Sequence, residues 1–189
     1  LNYLKRSKWL NLMAKSLSIK AVERIFNLLA FIYLVNNLDL KFVGNFFFWI
    51  SILNLLSLFS LNGIQSSLIK YISTGKIGFF KKANTLSLAS SSIGSIIFIS
   101  FYIISFPQND PWKFLLFFSL VFFFLGLNTW KSYYIGNEYL IKLSIINLLT
   151  VFLTNISLIL LVRFNIENFD YFLFFYLFYT SIFNIIITY

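Results

Sequence analysis

The chain has 189 residues, of which 59% are hydrophobic and only 11% are charged. About a quarter of the residues of a soluble domain are charged, so this composition excludes an ordinary soluble domain and indicates an integral membrane protein. Cysteine and histidine are both absent, which excludes disulfides and the commonest general base and metal ligand, and we expect no metal, cofactor or catalytic residue.

Six apolar segments follow one another along the chain, each close to the roughly 20 residues that cross a bilayer as a helix. A membrane barrel would need alternating strands of about ten residues, and that pattern is absent. The sequence therefore predicts an all-α integral membrane protein, with a bundle of about six transmembrane helices in a single lobe over 1–189. The predicted spans are 17–35, 46–66, 86–106, 114–130, 143–162 and 172–189.

Basic residues predict the orientation of this bundle, because they are concentrated in alternate loops. By the positive-inside rule the amino terminus is cytoplasmic. The net charge of +9 could also suggest nucleic acid, but these residues lie beside apolar spans, so we expect membrane lipids and no nucleic acid as partners. The basic residues are Lys5, Arg6, Lys8 and Lys15 before the first span, Lys70, Lys76, Lys81 and Lys82 after the second, and Lys131 and Lys142 after the fourth.

The first span carries a polar stripe of Lys20, Glu23, Arg24 and Asn27, which also includes Ser16. These positions are three or four residues apart, so they share one face of a helix. An ion at membrane depth needs a partner or water, and such residues face other spans or a wet cavity. We therefore expect the remaining spans to enclose a polar cavity that this stripe lines.

Polar residues at helical spacing also occur in later spans, including Asn54 in the second and Asn147 in the fifth. A polar cavity and a dry bundle with interhelical hydrogen bonds both fit these faces. The third span opens with serines and Gly94, which fit either close helix packing or a flexible, gating wall.

No nucleotide-binding fingerprint or metal-ligand cluster occurs, and no pair of acidic residues has a spacing that suggests acid–base chemistry. We therefore expect a protein that is not an enzyme. A polytopic bundle with charged interior residues most often transports a substrate.

Three local sequences resemble the Wzx-type O-antigen and polysaccharide flippases of the multidrug/oligosaccharidyl-lipid/polysaccharide exporter superfamily. The first is Arg24 followed by the short outer loop 36–44, which ends at Gly44. The second is 60–73, a glycine-containing end of the second span that runs into a basic loop. The third is 133–139, a glycine-plus-charge loop before the asparagine-bearing fifth span.

The resemblance implies one lobe of a transporter fold with two six-helix lobes around a central cavity. It implies alternating-access movement of an undecaprenyl-diphosphate-linked oligosaccharide across the bacterial cytoplasmic (inner) membrane. Arg24, with Lys20 beside it, would meet the diphosphate, and Glu23 would either neutralise these cations or take part in ion coupling. Asn27, Asn54 and Asn147 complete the expected cavity residues.

The chain stops inside its sixth span, so the resemblance predicts the amino-terminal half of a longer transporter. Such a half would need a second lobe as its partner, or polysaccharide-assembly proteins. Three alternatives stay open. They are a multidrug or lipid II exporter of the same superfamily, a membrane-embedded polysaccharide polymerase or glycosyltransferase, and a non-catalytic membrane subunit.

Overall fold

Helices make up nearly all of the chain that the computed structural model describes, namely residues 2–60, 62–76, 78–108 and 110–188. Side chains are described from Leu10 onward, except those of 59, 60 and 62–64. The side chains of Lys5, Arg6 and Lys8, and Tyr189 at the end of the sixth predicted span, lie outside this description. The helices are α1 (Asn2–Asn37), α2 (Leu40–Leu56), α3 (Asn62–Ser73), α4 (Phe79–Ser105), α5 (Pro111–Gly126), α6 (Thr129–Gly136), α7 (Leu140–Arg163) and α8 (Phe169–Thr188).

Four helical segments within the described residues are long and apolar enough to cross a membrane, which confirms an all-α membrane protein in outline. They are Phe79–Ser105, Pro111–Gly136, Leu140–Arg163 and Phe169–Thr188, and they correspond to the third to sixth predicted spans. Helix α2 is apolar but has only 17 residues. The apolar part of α1 contains three charged residues. The count of six spans therefore stays a prediction.

The second predicted span, 46–66, is not one continuous helix. Helix α2 ends at Leu56, a 3-10 turn follows over Ser57–Ser60, and α3 begins at Asn62. Helix α3 is amphipathic and packs on α4 and α6, with Leu68 and Ile72 buried and Lys70 exposed. The predicted span is thus divided into two helices, and the apolar face of α3 is buried against α4 and α6.

The best-packed part of the bundle is an aromatic core at the end where α2, α5 and α8 begin. Trp49 of α2 and Tyr102 of α4 lie at its centre, with ring centroids 5.5 Å apart. A neighbouring cluster joins the end of α1 to α2, α7 and α8, with Leu34 and Phe172 fully or almost fully buried. Because lipid is as apolar as these side chains, close van der Waals packing between the helices stabilises this end of the bundle.

Small residues bring α4 and α5 close together. Ser87, Ser91, Gly94 and Ser95 of α4 are buried, and a Cβ added at Gly126 of α5 would lie 2.6 Å from Ser91 Oγ. Small side chains permit such approach between helices in lipid. The serines of the third predicted span thus lie in a packed helix interface.

The fourth predicted span bends where α5 ends at Gly126 and α6 begins at Thr129. A break frees backbone carbonyls, which must find new donors in a lipid environment. Asn184 of α8 donates to the carbonyls of Phe123 and Phe124 at 3.4 and 3.3 Å, and Asn128 donates to Phe124 at 3.0 Å. The side-chain amides therefore stabilise the bend.

Helices α1 and α7 run parallel and in register. Ser16 pairs with Ser144 at 2.7 Å, and Asn155 donates to Asn27 at 2.9 Å. In each pair the two partners are 128 residues apart in the sequence. The two helices therefore keep the same register over three turns. This is the expected direction for the first and fifth spans of one bundle, and it fixes which side of α1 faces α7.

Candidate functional site

The predicted polar stripe of α1 is divided between the α7 interface and the open side of the helix. Glu23 and Asn27 are half-buried on the side that packs on α7, and Asn27 accepts the hydrogen bond from Asn155. Lys20 and Arg24 are exposed on the neighbouring edge. The asparagine is therefore part of an interhelical contact, whereas both cations remain accessible.

The exposed edge of α1 faces α2. The rings of Phe31 and Phe47 meet there, with centroids 5.3 Å apart. Arg24 precedes Phe31 by seven residues, and Asn54 follows Phe47 by seven residues, so each lies two turns away on the same stripe of its helix. Each of these two residues therefore lies about 10 Å along its own helix from the aromatic contact.

Asn54 and its neighbour Ser51 on this stripe are exposed. Contact between α1 and α2 is small and includes the phenylalanine pair. The aromatic pair is thus the contact seen between α1 and α2, and Arg24 and Asn54 are exposed beyond it. That the two side chains share one cavity stays a prediction.

Asn147 of α7 lies on the same flank as the cations. Partners on α1 and α7 differ by 128 in residue number, so Asn147 lies beside position 19 of α1, one residue before Lys20. It is rotated by about 60° from Ser144, toward the side of the helix pair that also carries Lys20 and Arg24. Its side chain is half-buried, with no hydrogen bond to another described residue. Helices α1 and α7 thus contribute polar candidates to one flank of the helix pair.

Lys131 is an additional cation of this region, and the sequence placed it in a loop. It lies instead in the first turn of α6 and is half-buried. Its Nζ atom is 5.7 Å from the centroid of the Trp130 ring, and Glu23 of α1 attracts it electrostatically. Lys131 therefore faces the bundle interior.

Positive charge predominates in this region. Lys20, Arg24 and Lys131 contribute three cations, against the single carboxylate of Glu23. None of the four forms an ion pair with another described residue. A region with two unbalanced positive charges beside apolar helices attracts an anion strongly, since the effective dielectric constant is low. No cluster of three or more metal-binding side chains occurs among the described residues.

Sequence patterns alone missed two polar networks. Trp130 donates to Asn184 at 2.8 Å, and Asp170 accepts from Tyr102 and Lys113 at the opposite end of α8. The signal for the second network was present, because Lys113 and Asp170 lie just before the predicted spans 114–130 and 172–189, in loops expected on the same side of the membrane. Opposite charges at the same membrane depth are candidates for pairing.

No protein-family model matches the chain, and neither a curated protein nor a solved structure matches it. The function is therefore argued from the residues and the geometry of this region.

Proposed function

We propose that the chain forms part of a membrane flippase that moves an anionic, lipid-linked substrate across the bilayer by alternating access. The substrate class is an undecaprenyl-diphosphate-linked oligosaccharide of a bacterial surface polysaccharide. The resemblance of the loops to Wzx-type flippases supports this assignment, and so does the chemistry of the region between α1, α2 and α7.

The observation that carries the proposal is the unpaired positive charge on α1. Arg24 is exposed on a helix that is otherwise mainly apolar over 17–35, and Asn54 is exposed on α2, which meets α1 at the Phe31–Phe47 contact. A guanidinium group binds phosphate oxygens through two parallel hydrogen bonds, and the amide of Asn54 supplies a neutral donor beside it. Lys20 lies about one turn away on α1, within reach of the second phosphate group.

The proposal is tested in a bacterium that lacks its own O-antigen flippase and receives the complete reading frame containing this chain. We expect the unchanged protein to restore surface polysaccharide. We expect Arg24→Ala to reduce it by about tenfold or more, since charge-assisted hydrogen bonds contribute about 1.5–3 kcal/mol.

Arg163→Ala provides the matched control. Arg163 is an exposed arginine in the last turn of α7, at the opposite end of the helix from Asn147. At equal membrane abundance this variant should retain surface polysaccharide. Equal polysaccharide from Arg24→Ala and the unchanged protein would refute the assigned role of Arg24, and resistance to cationic drugs in place of glycan export would refute the substrate class.

A further inference from the structure

A second polar site lies at the opposite end of the bundle from the candidate substrate region. Lys113 Nζ is 2.7 Å from Asp170 Oδ2, and Tyr102 donates its hydroxyl hydrogen to Asp170 Oδ1. The two charged side chains stay partly accessible, with relative exposures of 24% for Lys113 and 17% for Asp170. The ion pair joins the first turns of α5 and α8.

An apolar pocket of about 540 Å³ opens beside this ion pair. Its volume is within the range of about 300–1,000 Å³ that is usual for small-molecule sites. Lys113 and Asp170 lie in its wall, and most of the remaining wall is aliphatic or aromatic. The apolar wall includes Trp112, Leu116, Phe117, Leu161, Phe174 and Phe175.

The position of the pocket indicates which molecule reaches it. Its wall comes from α5, the end of α7 and the start of α8, which belong to segments able to cross a membrane, and from Ile166 and Asn168 of the loop between α7 and α8. Trp112 and Tyr171 lie at its mouth and are 59% and 53% exposed. Tryptophan and tyrosine are enriched where membrane meets water, so the mouth lies at headgroup depth and the apolar wall faces the acyl chains.

We propose that this pocket binds one membrane phospholipid with a zwitterionic, primary-amine headgroup of the phosphoethanolamine class. One acyl chain occupies the apolar pocket, and the headgroup lies on the Lys113–Asp170 pair. The site is separate from the region between α1, α2 and α7, so the proposal does not depend on the flippase assignment.

The charges of the pair select this headgroup. Lys113 donates to the lipid phosphate, and the primary ammonium group of the lipid donates to Asp170. A carboxylate has about four acceptor positions, so two hydrogen bonds leave room for the ammonium. A choline group has no N–H to donate, and a glycerol headgroup has no cation to face Asp170, so both bind more weakly.

The test is native mass spectrometry of the purified chain in neutral detergent with equal amounts of phosphatidylethanolamine, phosphatidylcholine and phosphatidylglycerol. We expect one bound phosphatidylethanolamine, favoured over each of the other lipids by about tenfold. Asp170→Asn should remove this preference, whereas Glu167→Gln should keep it, because Glu167 is exposed and outside the pocket wall.

A second variant separates binding from folding, because Asp170 also holds Tyr102 and Lys113. Leu116→Trp fills the apolar pocket and leaves the ion pair unchanged, and we expect it to lower the amount of bound phosphatidylethanolamine by about tenfold. Equal binding of the three lipids to the unchanged protein, a preference for phosphatidylglycerol, or full binding to Leu116→Trp would each overturn the proposal.

Discussion

Replacing Asn184 by leucine should destabilise the bundle strongly for a single substitution in a membrane helix. Asn184 is 1% exposed and accepts a hydrogen bond from Trp130 Nε1 at 2.8 Å. Its Nδ2 group also donates to the backbone carbonyls of Phe123 and Phe124 at the α5–α6 bend. Leucine has a similar size but no polar atom, so the substitution removes all three hydrogen bonds and leaves the buried indole N–H unpaired.

The expected loss is about 2 kcal/mol in free energy of unfolding. Hydrogen bonds between membrane helices contribute about 0.6 kcal/mol each on average, and a buried donor left without a partner costs about 1–3 kcal/mol. The two carbonyl contacts are long, at 3.4 and 3.3 Å, so the contact with Trp130 contributes most. A change of this size lowers the ratio of folded to unfolded protein about thirtyfold.

Reversible unfolding in lipid–detergent bicelles, followed by circular dichroism during addition of sodium dodecyl sulfate, measures this loss. Asn54→Leu is the matched control, because Asn54 is exposed and its side chain bonds to no other described residue. We expect the control to change the free energy of unfolding by less than about 0.5 kcal/mol. Equal losses in the two variants would refute the assigned role of Asn184 at the bend.

Two further predictions concern helix packing. Gly126→Ala should lower the free energy of unfolding by about 1–3 kcal/mol in the same titration, because its Cβ would enter α4. Gly44→Ala should be neutral or stabilising, since nothing lies within 4 Å of the added Cβ, and equal losses would contradict the close approach. Because the chain has no cysteine, Ser16→Cys with Ser144→Cys should form a disulfide on oxidation, detected as loss of maleimide labelling. Ser18→Cys with Ser144→Cys should remain labelled, and cross-linking of both pairs would refute the parallel register of α1 and α7.

Hydrophobicity alone predicted α7 and α8 to within a few residues, whereas α1 and α4 begin well before the predicted spans 17–35 and 86–106. The predicted spans 143–162 and 172–189 correspond to α7 (Leu140–Arg163) and α8 (Phe169–Thr188). This agreement has a simple cause, because about 20 consecutive apolar residues in lipid must satisfy their backbone groups within the segment and therefore form a helix. The same reasoning cannot predict a break within a helix when the break depends on contacts with a neighbouring helix.

The second and fourth predicted spans show this limit. The apolar sequence continues beyond Leu56, but the helix ends there. A separate helix, α3, buries Leu68 and Ile72 where it packs on α4 and α6. The sequence predicted Lys131 in a loop, because this charged residue directly follows the apolar span 114–130. It lies instead in a second helix, α6, whose Trp130 donates a hydrogen bond to Asn184 of α8. In both places a tertiary contact outweighs the local pattern.

The candidate site divides in the same way between local pattern and tertiary contact. Helical spacing by itself placed Lys20, Glu23, Arg24 and Asn27 along one side of α1, because periodicity is a property of a single helix. Only the tertiary structure decided that Asn27 pairs with Asn155 while the two cations stay accessible. Which residues meet depends on the rotation and the level of neighbouring helices, and those are set by side-chain packing between segments far apart in the chain.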